Sequence, residues 1–185
     1  AVVAEGFEAG GHNGREETTT MCLVPAVADA CDIPVIAAGG LHDGRSILAA
    51  MMLGAEAVQL GSRFVATPES SAHIAFKEAV LAAGEGATSL ELKDVTPVRL
   101  LHNDFAQQVI AAQQGGATPD ELRALLGRGR AKRGMFEGDL QEGELEIGQI
   151  AAMLDRLEPA ADLVRRLAEE CRALGGPALG GRFDF

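Results

Sequence analysis

Three short apolar segments, each closely followed by glycine, constrain the fold of this chain more than any other feature. Such runs, bounded by turn residues, are typical of strands that are buried on both faces of a parallel sheet. Helical patterns separate the runs, and this alternation predicts parallel βα units. Right-handed crossovers would bring the three carboxyl-terminal strand ends to one face of the sheet. The predicted strands are residues 1–4, 35–38 and 57–60, and each ends near a glycine-containing loop.

The segments between and after these strands predict helices with recognisable starts. Three consecutive threonines, residues 18–20, are candidate N-caps for the first helix, which has Pro25 in its first turn. Asp43 is the candidate cap of the second helix. The predicted helices cover residues 23–30, 44–53 and 71–81.

The pattern changes after about residue 83, which predicts a second structural unit. Residues 88–101 alternate enough for one or two strands, and Thr118 with Pro119 marks the start of a helix. Further helices are predicted over residues 104–114, 120–126, 148–157 and 159–174. The predicted division is therefore a barrel portion 1–82, a small inserted domain 83–147, returning helices 148–174, and a glycine-rich, poorly ordered tail 175–185.

Composition limits the functions that the chain can have. A length of 185 residues with 47% hydrophobic residues allows one core and a small second lobe. The net charge of −11 argues against nucleic acid or an anionic membrane as a partner. Three cysteines without a CxxC pair favour reduced thiols and a cytoplasmic location. No apolar run approaches the roughly 18 residues of a membrane helix, and no metal-ligand spacing is present.

Glycine pairs at two neighbouring strand ends indicate a phosphate site. Gly39-Gly40 and Gly61-Ser62 follow consecutive predicted strands, and glycine lets backbone N–H groups approach phosphate oxygens. The alternative is that each pair only forms a tight turn. His12, flanked by Gly10, Gly11 and Gly14, also follows a strand end, where either a functional or a purely structural loop histidine fits.

Other polar residues are interpreted as structural or solvated. His42, His73 and His102 are expected at the surface or in loops. The basic patch Arg128, Arg130, Lys132 and Arg133 is expected to be a solvated loop rather than a phosphate contact, and the acidic stretch 137–146 is expected to be solvated surface.

Three motifs in this order and spacing resemble the nitronate monooxygenase family. This family was formerly called 2-nitropropane dioxygenase and includes flavin-dependent enoyl-acyl-carrier-protein reductases. The motifs are AEGFEAGGHNG at residues 4–14, PVIAAGG at 34–40 and GAEAVQLGSRF at 54–64. The later Glu137-Gly138-Asp139 and Gly148-Gln149 also fit the resemblance, which covers all but the tail after about Leu174.

The resemblance implies an α/β fold, an FMN-binding (β/α)8 TIM barrel with a smaller inserted α+β domain. It implies that His12 is the active-site histidine, acting on the nitronate or carbon acid, or positioning and protonating an enoyl substrate. It also implies a flavin site in which Gly39, Gly40, Gly61 and Ser62 hold the FMN phosphate, Ala9, Gly10 and Gly11 lie against the flavin, and Gln59 and Gln149 are neighbours.

The chain is shorter than the resemblance requires. A (β/α)8 barrel needs roughly 250 residues, and the resemblance implies that the three strands correspond to the sixth to eighth of such a barrel. We therefore expect that the N-terminal half of the barrel is absent from this chain, which either pairs with that half or is unstable alone.

Oxidative denitrification of alkyl nitronates with molecular oxygen ranks first among the implied activities. Enoyl reduction with NADH or NADPH follows closely, and a phosphate-binding barrel without flavin or a non-catalytic fragment stays open. A small-molecule substrate and a homodimer are compatible with each of the two enzymatic activities.

Overall fold

The computed structural model describes residues 1–179, with side chains described through Gly175. Two three-stranded sheets and seven α-helices form this part of the chain. The strands are β1 (Val2–Glu5), β2 (Gly11–His12), β3 (Val35–Ala38), β4 (Ala57–Gln59), β5 (Thr88–Glu91) and β6 (Val98–Leu101). The helices are α1 (Thr20–Ala30), α2 (Gly44–Met52), α3 (Ser62–Val65), α4 (Ile74–Leu81), α5 (Asp104–Gln114), α6 (Pro119–Leu126) and α7 (Ala160–Leu179).

The first sheet is parallel, in the order β1-β3-β4, as the three apolar segments predicted. One face packs on α1 and α2 through a core that includes Ala4, Val24, Val35 and Ala37. On the opposite face Val3 is 46% exposed. Within the described residues, neither the outer edge of β1 nor that of β4 pairs with another strand.

Helix α2 shows how the sequence fixes the position of a strand-end loop. The Asp43 carboxylate accepts the Ser46 N–H at 2.9 Å, and the Ser46 hydroxyl accepts the Asp43 N–H in return. This capping box confirms the predicted start of the helix. Ile47 and Leu48 then pack against α7, with Leu163 and Leu167 in the same cluster.

The predicted role of the threonines before α1 is wrong. The helix begins at Thr20, three residues earlier than predicted, and the N-cap residue Thr19 makes no side-chain capping bond. The Thr20 hydroxyl instead donates to the Gly39 carbonyl at 2.9 Å. Because the helix starts earlier, Pro25 is its sixth residue and does not lie in the first turn.

The second sheet is antiparallel, in the order β2-β6-β5, so the region 88–101 forms two strands. Strand β2 belongs to the predicted histidine loop, and His12 is the register partner of Val98. Helices α5 and α6 cover this sheet through a core that includes Leu100, Phe105 and Leu122. The predicted helix 104–114 is confirmed, and Thr118 caps α6 as predicted, in a capping box with Glu121.

Several later boundaries differ from the prediction. Helix α3 was not predicted, and α4 begins at Ile74 because the His73 ring accepts the Ala75 N–H at 3.2 Å. A π-helical turn spans Lys132–Phe136, where a loop was expected. A 3₁₀ turn, Gln149–Met153, replaces the predicted helix 148–157.

The last helix is longer than predicted. Helix α7 runs to Leu179, so the first part of the predicted tail is helical, and residues 180–185 lie outside the described part of the chain. Leu163, Leu167 and Cys171 are buried, whereas Val164 is 55% exposed. The division of the chain into barrel and inserted domain stays a prediction.

Candidate functional site

A cleft of about 200 Å³ lies at the carboxyl-terminal ends of β1, β3 and β4. Strand register places Glu5, Ala38 and Gln59 side by side, and all three line the cleft. The cleft is also lined by most of the residues that were predicted to bind FMN: Ala9, Gly10, Gly39, Gly40, Gln59, Gly61 and Ser62. The predicted residues Gly11, His12 and Gln149 are not among its lining residues.

The loops after β3 and β4 present backbone N–H groups without partners. No hydrogen bond among residues 1–179 uses the amides of Gly40, Gly61 or Ser62. A Cβ atom added at Gly61 would meet no atom within 4 Å. Unpaired donors beside open space form a site where an anionic oxygen can approach the backbone closely.

Gly39 has a different reason to be glycine. Its φ of +86° is unfavourable for other residues, and an added Cβ would lie 2.6 Å from the Gly6 carbonyl oxygen. Gly39 therefore allows β3 to turn tightly over the loop that follows β1.

The Ser62 hydroxyl joins two segments of the cleft. It accepts the Gly148 N–H at 2.9 Å, and its own proton stays available to a ligand. The adjacent Gln149 N–H donates to the Glu8 carbonyl at 2.9 Å. The Gln149 backbone is thus fixed next to the cleft, while the residue itself is exposed.

The loop after β1 is held by two anchors that the sequence did not reveal. The Glu8 carboxylate accepts the Thr20 N–H at 3.0 Å, and it lies 3.0 Å from the Thr20 hydroxyl, whose single proton it shares with the Gly39 carbonyl. The Arg99 guanidinium donates to the Phe7 carbonyl at 2.7 and 3.0 Å and lies 5.0 Å from the Phe7 ring centroid. Arg99 is 2% exposed, and burial lowers its pKa. A single arginine in the apolar strand β6 was the available signal.

His12 lines a second cleft of about 260 Å³. The residue is exposed, and the cleft also contains Thr96, Arg130, Glu144 and Glu146. Thus the structure does not bring the His12 side chain into the lining of the glycine-rich cleft. The two clefts are adjacent because His12 directly follows the loop that borders the first one.

The prediction that residues 137–146 are solvated surface is wrong for two glutamates. Glu144 is only 8% exposed, and burial raises the pKa of both Glu144 and Glu146. The reason is backbone pairing, since Glu146 forms an antiparallel bridge with Leu100 of β6. This bridge joins the segment around Glu146 to the second sheet.

The basic patch is also only partly solvated. Arg130 donates to the Leu126 and Glu142 carbonyls at 2.9 and 2.7 Å, and its guanidinium lies 4.4 Å from the Phe105 ring centroid. The expectation of a solvated loop is therefore wrong for Arg130. The other members of the patch, Arg128, Lys132 and Arg133, are exposed as expected.

The remaining histidines lie outside both clefts. His73 and His102 are exposed, as expected. His42 follows the Gly39-Gly40 loop, its side chain is 15% exposed, and its Nδ1 atom is buried without a hydrogen-bond partner. Burial lowers the pKa of His42. In the described part of the chain no cluster of three or more suitable side chains could hold a metal ion, and no helix there has the length and apolarity of a membrane span.

The parallel sheet is covered by helices and has unpaired amides where its strands end. This arrangement is typical of an α/β protein that binds an anionic group at the carboxyl-terminal edge of the sheet. The model of the family described as nitronate monooxygenase matches residues 1–170. The chain therefore belongs to the nitronate monooxygenase family, and the resemblance seen in the three motifs is confirmed.

Two curated relatives illustrate the range of the family. The chain is 38% identical to a nitronate monooxygenase of Pseudomonas aeruginosa over 93% of its length and 51% of the relative. It is 33% identical, over 89% of its length and 56% of the relative, to a (3aS,4S,5R,7aS)-5-hydroxy-7a-methyl-1-oxo-octahydro-1H-indene-4-carboxyl-CoA dehydrogenase of Rhodococcus jostii. The chain thus spans about half the length of these relatives.

A solved structure supports the α/β fold. FabK from Thermotoga maritima superimposes with a TM-score of 0.89 at 38% identity, over 97% of this chain and 56% of FabK. This superposition covers nearly the whole chain, which therefore shares its α/β fold with FabK.

Proposed function

We propose that this chain forms the FMN phosphate site and the histidine side of an FMN-dependent nitronate monooxygenase. The observation that carries the proposal is the set of unpaired amides at Gly40, Gly61 and Ser62, three residues that line the cleft in a member of this family. The proposed reaction is oxidative denitrification of an alkyl nitronate with molecular oxygen.

The residues at the strand ends fit the phosphate of FMN. Three unpaired N–H groups and the free proton of the Ser62 hydroxyl offer donors to its oxygens, and Gly61 leaves room for them. Ala9 and Gly10 would border the flavin, and Gln59 would be a further neighbour in the lining of the cleft. When bound, FMN supplies the electron transfer between the substrate and oxygen.

Gly11, His12 and Gln149 take less direct parts in this proposal. Gly11 lets the chain turn from the flavin loop into β2, where its φ is +74°. His12 would face the substrate from the second cleft and exchange a proton with it. Gln149 would border the flavin through its anchored backbone.

The open inner face of the parallel sheet requires a cover. We propose that the first half of a (β/α)8 barrel packs there, against Val3 and the free edges of β1 and β4. On this proposal the region around β5, β6, α5 and α6 is the smaller inserted domain. Residues 1–185 expressed alone should then bind FMN poorly, and a cooperative unfolding transition of that fragment would contradict the proposed cover.

NAD(P)H-dependent enoyl reduction is the second candidate. It is supported by the close superposition on FabK.

One experiment distinguishes these candidates. The protein with its complete barrel is purified, and its visible spectrum and the flavin released on denaturation are recorded. It is then assayed with propane-2-nitronate and oxygen, and separately with an enoyl thioester and NADH or NADPH. Nitronate-dependent oxygen uptake supports the first proposal, whereas turnover of the thioester alone supports the second. A colourless protein that cannot be reconstituted with FMN would reject both.

The setting of the enzyme is also a proposal. The three cysteines are free, which is compatible with a reducing, cytoplasmic compartment. A homodimer is compatible with the family but rests on no contact within the chain, and light scattering of the complete protein would test it.

A further inference from the structure

Helix α7 contacts the segment that follows the first glycine loop. The capping box at Asp43 leads from Gly40 to Gly44, the first residue of α2. The Gly44 N–H donates to the Glu170 carboxylate at 2.8 Å, and the Cys171 thiol donates to the Gly44 carbonyl at 3.8 Å. An added Cβ at Gly44 would lie 2.5 Å from the Glu170 Cβ atom. The start of α2 is therefore packed directly on α7.

The second glycine loop is attached to the residues just before α7. Arg63 directly follows Ser62 and is 3% exposed, and its Nη2 atom donates to the Glu158 carboxylate at 2.5 Å. The Glu158 N–H donates to the Ala66 carbonyl at 3.3 Å, just after the end of α3. Glu158 thus holds both ends of α3, and with them the loop of Gly61 and Ser62.

Arg166 of α7 joins these two attachments. Its Nε and Nη2 atoms donate to the Glu158 carboxylate at 3.0 and 2.9 Å, and its Nη1 atom donates to Glu170 at 2.5 Å. These bonds to Arg166 hold the pKa of Glu158 below its ordinary value, so its carboxylate is ionised at neutral pH. A guanidinium presents its donors in a rigid planar fork, which fixes the separation of the two carboxylates that it binds.

The charges of this region are balanced. A cavity of about 330 Å³ lies between the two attachments, and its lining includes three arginines and three carboxylates, which are Arg63, Arg156, Arg166, Asp43, Asp155 and Glu170. The other titratable side chain of the lining, His42, has its pKa lowered by burial. Because the arginines of this cavity are matched by carboxylates, we expect the cluster to act on the glycine loops through geometry and not as a source of positive charge.

We propose that Arg166 is a positioning residue for the phosphate of FMN, because it holds the two glycine loops at the separation at which their amides bind one phosphate group. This inference rests on the proposed function and adds to it a residue that does not line the glycine-rich cleft. The unpaired amide of Gly40 comes from one loop, and those of Gly61 and Ser62 come from the other. Their use on one phosphate group depends on the distance between the loops.

Removal of the guanidinium would leave each loop with one partner. Glu158 would keep its bond from Arg63, and Glu170 would keep its bond from the Gly44 N–H. The two carboxylates would no longer share a donor that fixes their separation. We therefore expect the protein to fold without Arg166 but to hold the phosphate less well.

The test measures the binding of FMN and of riboflavin to Arg166→Met and to the unmodified apoprotein, both with the complete barrel. Riboflavin has the same ring system and ribityl chain as FMN but no phosphate. The FMN dissociation constant should rise about tenfold, which corresponds to ~1.4 kcal/mol, and the riboflavin dissociation constant should stay within twofold. A general loosening of the fold would weaken both flavins.

Arg165→Met is the matched control. Arg165 is the neighbouring arginine of α7, its side chain is 71% exposed, and it pairs with Asp162 at 2.6 Å. It lies outside the charged cavity, and its replacement should change the binding of neither flavin. Equal effects of the two substitutions on FMN would overturn the proposal.

Two further variants keep the proposal testable if Arg166→Met folds poorly. Arg166→Lys keeps the positive charge but loses the fork, so it should also weaken FMN binding selectively. FMN binding of unmodified strength in this variant would show that α7 acts through its charge, which would overturn the positioning role. Glu170→Gln replaces one of the two accepting oxygens with a donor, and it should likewise weaken FMN more than riboflavin.

Inorganic phosphate separates this inference from the proposed function. If the unmodified protein binds neither flavin, the proposed function fails, and the loops are then tested with phosphate alone. Phosphate should raise the thermal midpoint of the unmodified apoprotein above its value in potassium chloride of equal ionic strength, and the rise should be less than half as large for Arg166→Met. Absence of the rise in the unmodified protein, equal rises in both proteins, or equal weakening of FMN and riboflavin would overturn the proposal.

Discussion

Replacing Gly61 with alanine tests the phosphate site with little risk to the fold. The φ of Gly61 is −99° and its ψ is −72°, which other residues adopt readily. An added Cβ meets no atom within 4 Å. By reducing the freedom of the unfolded chain, alanine should leave stability unchanged or increase it by up to about 1 kcal/mol.

The expected effect on FMN follows from the free amides. A methyl group at Gly61 would stand where a phosphate oxygen approaches the Gly61 and Ser62 N–H groups. A hydrogen bond to a charged group contributes ~1.5–3 kcal/mol. Losing one such bond should therefore weaken FMN binding by about 10- to 150-fold.

The assay measures FMN affinity and folding separately. The apoprotein with its complete barrel is titrated with FMN, and binding is followed by the change in flavin fluorescence. Thermal unfolding of the apoprotein is followed by circular dichroism, which suits a chain that has no Trp and no Tyr. Gly84→Ala is the matched control, because Gly84 also has open space around it but lies outside the glycine-rich cleft.

The outcome separates two interpretations of the glycine loops. An FMN dissociation constant within twofold of the unmodified value, in a folded Gly61→Ala protein, would refute a phosphate at this loop. Equal weakening by Gly84→Ala would show that the loss reflects a general change in the protein.

Three further outcomes are expected. Gly39→Ala should lower the thermal midpoint. The φ of +86° at this position costs ~1–2 kcal/mol for a residue with a Cβ, and that Cβ would lie 2.6 Å from the Gly6 carbonyl oxygen. An unchanged midpoint would contradict this expectation. His12→Ala should keep FMN bound and reduce turnover by about 10²–10⁴-fold in steady-state assays, and full activity would return His12 to a structural role. The hydrogen bonds from Arg166 and the charge of Arg63 hold the pKa of Glu158 below its ordinary value. The stabilisation that Glu158 contributes is therefore complete above about pH 5 and is lost as the pH falls through the lower folded-state pKa. Between about pH 6 and pH 3, the thermal midpoint should fall more steeply for the unmodified protein than for Glu158→Gln.

The parallel βα units and their glycine loops could be predicted because their signals are local. Each strand is one apolar run with turn residues at its end, and Asp43 marks a helix start within a few residues of the chain. The same locality explains the success at α5 and α6, where Asn103 and Thr118 cap the helices. The motif spacing was specific enough to identify the family.

Local signals could not separate residues that look alike. Gly39 and Gly61 each follow one of two consecutive strands within two residues, yet one is packed against Gly6 and the other faces open space. Thr20 resembled a helix cap, but Glu8 and Gly39 offered its hydroxyl better partners from other segments. The sequence shows that such residues are polar or small, but it does not show which residues they contact in the folded chain.

The sequence by itself determined the class of fold, and it indicated the strand-end cleft and seven of the residues that line it. Only the tertiary structure decided which charges enter that region. The bridge between Leu100 and Glu146 and the contact of Arg99 with Phe7 join residues 46 and 92 positions apart. Because burial of Glu146 and Arg99 depends on these distant pairings, an acidic stretch that looked solvated became part of the site. The physical reason is that the periodicity of a sequence shows which face of a single helix or strand is buried. The electrostatic field at a site depends instead on every element that contributes charges to that site.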